Sequence, residues 1–137
     1  MSGKKYSILL AEDDQGLQTA LTKVLRKEGY YVYGASDGDE AVEVFNQRTF
    51  DLVITDLSMP KKKGLEVLAE IKKKSPKTPV IIITAFGDWD TYQEAMNGHV
   101  FEYINKPVKK EELLKLVETA RLCKNQKGIP VGPSRLM

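Results

Sequence analysis

Carboxylates, a hydroxyl and a lysine each stand at the end of a short apolar run in this chain. Glu12-Asp13-Asp14 follow Ile8 to Ala11, Asp56 follows Asp51 to Thr55, Thr84-Ala85 end Val80 to Thr84, and Asn105-Lys106-Pro107 follow Val100 to Ile104. Carboxylates brought together repel and raise one another's pKa unless a cation joins them. A hard divalent metal is the economical completion. Mg²⁺ fits best, because it takes one or two carboxylates, keeps several waters and accepts phosphate oxygens. In such a site Asp56 is the candidate nucleophile: its carboxylate would attack a phosphorus centre to give an acyl phosphate, with the metal, Lys106 and Thr84 holding the oxygens. Catalysis of this kind is positioning and charge neutralisation.

These residues meet only if the runs that deliver them are strands of one sheet. The runs from Ile8 and Val80 are continuously apolar, as strands covered on both faces are. Tyr31-Val32-Tyr33, after Gly29, suits an edge strand. Between the runs lie segments with helical spacing: Leu17, Leu21, Val24 and Leu25; Ala41, Val44 and Phe45; Leu65, Leu68 and Ile71 within Gly64 to Lys74; and Leu113, Leu116, Val117 and Ala120. The segment from Asp90 to Met96 has the weakest stripe, resting on Tyr92, Ala95 and Met96. Asp37 with Glu40 predicts a capping box for the second helix, and Gly29 a stop for the first. Five alternations of strand and helix predict an α/β, three-layer doubly wound fold with a parallel five-stranded sheet. Ligands of such sheets bind beyond the carboxyl ends of the strands, where the candidate residues fall.

The 137 residues suit one domain with one core, and 42% hydrophobic with 29% charged residues is an ordinary soluble composition. No apolar run approaches a membrane span or a signal-peptide core, so the expected compartment is the cytoplasm. One cysteine, Cys123, and one histidine, His99, leave no internal disulfide and no Cys/His zinc site. A net charge of +2 is too even for a whole-surface attraction to nucleic acid. Lys61-Lys62-Lys63 and Lys72-Lys73-Lys74 are read first as solvated faces. Asn125 to Met137, with two glycines and two prolines, is expected to be a flexible tail.

Taken together, Glu12-Asp13, Asp56 followed by Met59-Pro60, Thr84-Ala85 and Lys106-Pro107 resemble, in order and spacing, the receiver domains of two-component response regulators. The resemblance runs from Tyr6 to Lys124 and implies a receiver domain over residues 6–124 with the flavodoxin-like strand order 2-1-3-4-5, which sets Asp13 against Asp56. It implies that Asp56 accepts a phosphoryl group from a sensor histidine kinase or a small phosphodonor. The metal ligands would be Glu12, Asp13, Asp56 and the backbone carbonyl of Ser58, with Glu12 acting directly or through a water. Thr84 and Tyr103 would form the switch pair, changing the face made by the fourth helix, fifth strand and fifth helix for a downstream effector or output domain. A cis Lys106-Pro107 bond is also implied, and a phosphorylation-dependent homodimer is a candidate assembly. The chain would be a phosphoacceptor rather than an enzyme, either stand-alone or part of a longer regulator or hybrid kinase. Ser58 and Phe86, at positions that tune dephosphorylation in the family, offer no carboxylate or amide to orient water, so autodephosphorylation is expected to be slow. The loop Pro60-Lys61-Lys62-Lys63-Gly64 departs from the family's acidic turn, and His99 stands where relatives often carry glycine.

Plainer roles compete at several positions. Asp14 suits a helix N-cap as well as a metal ligand. Trp89 and Tyr92 are equally compatible with a partner-binding face and with core, His99 is read as structural or surface, and Cys123 as an inert, partly buried thiol. A metal-dependent phosphatase with an aspartyl-phosphate intermediate would want an aspartate two residues beyond the nucleophile, where this chain has Ser58. An unphosphorylated binding module of the same fold is the main alternative, and no recognition helix or aromatic platform supports nucleic-acid binding.

Overall fold

The computed structural model describes residues 5–85 and 87–123. The elements alternate without exception: β1 Ser7–Ala11, α1 Gln15–Lys27, β2 Tyr31–Ala35, α2 Gly38–Gln47, β3 Leu52–Asp56, α3 Gly64–Lys74, β4 Val80–Thr84, α4 Trp89–Asn97, β5 Glu102–Asn105 and α5 Lys110–Cys123. The five strands form one parallel sheet in the order β2-β1-β3-β4-β5. This is the expected flavodoxin-like doubly wound fold, with β2 on an edge.

The period-2 alternation of an extended chain divides the core in two. Leu9, Ala11, Val53, Val80 and Ile82 pack under α2, α3 and α4, against Val44, Phe45, Val67, Leu68, Ile71 and Ala95. Ile8, Leu10, Leu52, Ile54, Ile81 and Ile83 face the other way, onto Leu21 and Leu25 of α1 and Leu113, Leu116, Val117 and Ala120 of α5. Residues 8–11 of β1, 52–54 of β3 and 80–83 of β4 are therefore continuously apolar before these strands emerge at their carboxyl ends.

Local signals set most of the element ends. Asp14 caps α1 by accepting from the Leu17 N–H at 3.1 Å, and Gly29 leaves the helix with φ +95°, a left-handed turn that favours glycine. At α2, Asp37 accepts from the Glu40 N–H at 2.8 Å as expected. The reciprocal bond lands one residue earlier than the capping box predicts, from the Ser36 N–H to Glu40 Oε1 at 2.8 Å. In α3 the buried stripe is Val67, Leu68 and Ile71, with Leu65 only partly covered. The fifth strand starts at Glu102 rather than Val100, because His99 turns the chain with φ +66°. Histidine tolerates that conformation better than most residues. The expected tail, residues 125–137, and Phe86 lie outside the described residues.

Candidate functional site

The sheet register assembles the site. Ala11 pairs with Thr55, so the next residues along, Glu12 and Asp56, emerge side by side from β1 and β3. Asp56 pairs with Ile83 and Thr84 with Asn105, which sets Thr84 and Lys106 at the same rim. The backbone continues the ladder past the strand ends: Glu12 N–H donates to the Ala35 carbonyl at 2.9 Å, and Lys106 N–H to the Thr84 carbonyl at 2.7 Å. The Lys106-Pro107 peptide is cis, as the resemblance implies.

Glu12, Asp56 and Thr84 are buried, whereas Asp13 is exposed at the mouth. Lys106 Nζ lies 2.7 Å from Asp56 Oδ2 and 3.1 Å from Glu12 Oε1. Asp56 Oδ1 accepts the Ser58 N–H at 3.0 Å, and Glu12 Oε2 accepts the Asp14 N–H at 3.0 Å. One oxygen from each of Glu12, Asp13 and Asp56 falls within 4.8 Å of the others. Three carboxylates beside one ammonium leave an excess of negative charge, and an all-oxygen donor set open to solvent on the Asp13 side is the chemistry of a hard cation. Burial pushes the Glu12 carboxyl up to about 7 against the pull of the Asp14 N–H; the charge of Asp56 adds to the rise and Lys106 opposes it. Burial alone would lower the Lys106 ammonium, but its bonds to Asp56 and Glu12 outweigh that and hold its pKa above the usual lysine value.

Asp14 spends a side-chain oxygen on the α1 cap and is absent from the carboxylate cluster. His99 is exposed between α4 and β5, at the opposite end of the sheet from the carboxylates. Two lysines of the β3–α3 loop have counter-charges, Lys61 with Asp37 at 3.9 Å and Lys62 with Glu70 at 3.6 Å, which tempers the positive surroundings of the site. Trp89 is 68% exposed and stacks on half-buried Tyr92, whose ring meets Tyr103 edge-on, so the pair stands at the surface and borders the core. Cys123 is partly buried, as expected.

Three supporting residues escape a reading of sequence. Gln18 Nε2 bridges the carbonyls of Glu12 and Ala35 at 2.8 and 3.0 Å, tying α1 to the strand ends. At Gly64 a side chain would collide with the Asp56 carbonyl oxygen and stand 2.7 Å from Leu57 Cα. At Gly87 it would strike Tyr103 Oη. A glycine before a helix carries no mark that distinguishes close approach from an ordinary turn, and a lone glutamine carries none at all.

The parallel sheet thus gathers three carboxylates, a lysine and a threonine at one rim of an α/β domain. Residues 8–118 match the family model of the response regulator receiver domain, and the chain belongs to that family. It is 41% identical over 120 residues to the transcriptional regulatory protein GlrR of Escherichia coli, covering 88% of this chain and 27% of that protein. The chain thus spans about a quarter of that relative's length. Its fold matches the crystal structure of a response regulator receiver domain protein from Clostridium thermocellum with TM-score 0.83 and 35% identity, over 88% of this chain and 97% of that one. The beryllofluoride-activated NtrC4 receiver domain dimer is similar at TM-score 0.82 and 28% identity, over 87% and 98%. The family is one of two-component signalling. Among the described residues, no helix is long and apolar enough to cross a membrane.

Proposed function

We propose that residues 6–124 form the receiver unit of a phosphorelay in which Asp56 takes a phosphoryl group from a sensor histidine kinase or a small phosphodonor. A carboxylate oxygen of Asp56 forms the new bond to phosphorus. The bond from phosphorus to the donor's nitrogen or oxygen breaks, its electron pair leaving with the donor. The observation that carries this reading is the excess of carboxylate over ammonium around Asp56, with Lys106 Nζ only 2.7 Å from the candidate nucleophile. Glu12, Asp13, Asp56 and the Ser58 carbonyl would hold Mg²⁺, whose charge, when bound, offsets that of the phosphoryl oxygens. The Ser58 N–H fixes one carboxylate oxygen of Asp56. Lys106 passes from that carboxylate to a phosphoryl oxygen, and the Thr84 hydroxyl donates to another.

Thr84 is then drawn toward Asp56, Tyr103 turns inward behind it, and the α4-β5-α5 face changes for an effector or output domain. A phosphorylated homodimer is part of this proposal, supported by the likeness to the NtrC4 receiver dimer. The unit works in the cytoplasm without direct contact to nucleic acid or membrane. With Ser58 beside the acceptor and Phe86 at the second tuning position, the phosphoryl group should persist for many minutes; loss within seconds would contradict the slow autodephosphorylation proposed here.

Labelling with radioactive acetyl phosphate, followed by hydroxylamine, tests the chemistry. An acyl phosphate on Asp56 is released by hydroxylamine, whereas a phosphoester on Thr84 or Ser58 survives. The alternative, an unphosphorylated binding module, predicts no label at all.

A further inference from the structure

Resting on the switch reading of Thr84 and Tyr103, we propose that Thr91 is a positioning residue that latches Tyr103 in its resting position, because one hydroxyl serves both the α4 cap and the switch tyrosine.

The start of α4 is closed by Asp88 and Thr91. Asp88 Oδ1 accepts the Thr91 N–H at 2.8 Å, and Thr91 Oγ1 accepts the Asp88 N–H at 3.2 Å. Thr91 Oγ1 also lies 2.9 Å from Asp88 Oδ1 and 3.1 Å from the Asp88 carbonyl, so its proton goes to Asp88. A hydroxyl has one proton and two lone pairs. With the proton and one lone pair committed to Asp88, the remaining lone pair faces Tyr103 Oη at 3.3 Å, and Tyr103 is the donor.

The same short stretch also meets the ring elsewhere, while the ring packs against the core beneath α2, α3 and α4. Tyr92 meets it edge-on at 5.3 Å, Trp89 stacks on Tyr92 at 5.7 Å, and Gly87 leaves the room that Tyr103 Oη occupies. Movement of Tyr103 out of this position breaks its bond to Thr91 and takes it off the edge of Tyr92. The latch opposes activation by about one neutral hydrogen bond, or about twofold to tenfold in the affinity for a phosphoryl mimic. Trp89, the chain's one tryptophan, is two rings from Tyr103 and reports the release.

The test is calorimetric titration of beryllofluoride with Mg²⁺ into the parent chain, Thr91→Val, Tyr103→Phe, the double variant and Thr91→Ser, with Trp89 emission followed in parallel. The latch predicts that both single variants bind about twofold to tenfold tighter, that the double variant gains nothing beyond either, and that Thr91→Ser, which keeps the hydroxyl, binds as the parent does. Trp89 emission should shift on saturation of the parent. If Thr91 only caps α4, Thr91→Val lowers the melting temperature without tightening binding, or its effect multiplies with that of Tyr103→Phe; either result overturns the latch alone. A parent chain that binds no beryllofluoride overturns the switch reading and the latch with it.

Discussion

Lys106 Nζ stands 2.7 Å from Asp56 Oδ2, joining the carboxyl end of β3 to the residue that follows β5 across the intervening strand β4. The same ammonium lies 3.1 Å from buried Glu12. Replacing it leaves two buried carboxylates facing each other. Lys106→Met should destabilise the metal-free protein by about 1.5–3 kcal/mol, the usual worth of hydrogen bonds to charged groups. Urea unfolding in EDTA measures this, and an unchanged midpoint would show that the bridge contributes nothing to the fold.

Removing the exposed carboxylate should separate structure from metal binding. Asp13→Asn should leave metal-free stability within about 0.5 kcal/mol of the parent, since surface changes away from packed features rarely do more. It should also abolish the rise in melting temperature that Mg²⁺ gives the parent through binding to the folded state. Thermal melts with Mg²⁺ and with EDTA decide it.

Glu12 sets a pH dependence. The folded protein keeps its proton up to about 7, while the unfolded chain releases it near the ordinary 4.5. Between these values the folded state binds more protons, so this contribution to stability is complete below 4.5 and is lost as pH rises through 7. Mg²⁺ wants the ionised carboxylate, so its affinity should climb over the same window and each ion bound should displace a proton below about pH 7. Calorimetry at about pH 6 and about pH 8, in buffers of different ionisation enthalpy, checks the proton release. An affinity flat across that window would contradict it.

Gly64 presses the start of α3 against the backbone of Asp56 and Leu57. Because the atoms it would strike are backbone rather than the end of a flexible side chain, Gly64→Ala must move α3 or Asp56. Overpacking of this kind costs about 1–3 kcal/mol. The variant should unfold at lower denaturant and take up phosphoryl label more slowly than the parent. Parental behaviour in both would show that the helix yields freely.

The candidate site was largely legible because parallel strands covered on both faces stay apolar until they emerge, so Glu12, Asp56, Thr84 and Lys106 mark the emerging ends themselves. The depth of each residue was not legible. Nothing in Glu12-Asp13-Asp14 distinguishes the buried carboxylate from the exposed one and the helix cap; that follows from the β1–β3 register. The expected Asp90 to Met96 lies within α4, but its cap was not legible, because Thr91, rather than glutamate or glutamine, closes the capping box. Likewise Val67 is buried more deeply than Leu65, because Gly64, Val67, Leu68 and Ile71 share one face at helical spacing and Leu65 flanks it.

The central claim is that Asp56 accepts a phosphoryl group with the help of a divalent metal. Intact mass after incubation with acetyl phosphate, with and without Mg²⁺, on the parent chain and on Asp56→Asn, tests it most directly. A gain of one phosphoryl group that requires Mg²⁺ and vanishes in Asp56→Asn is the predicted result. No gain under conditions that label a known receiver domain, or a gain that survives in Asp56→Asn, would contradict it.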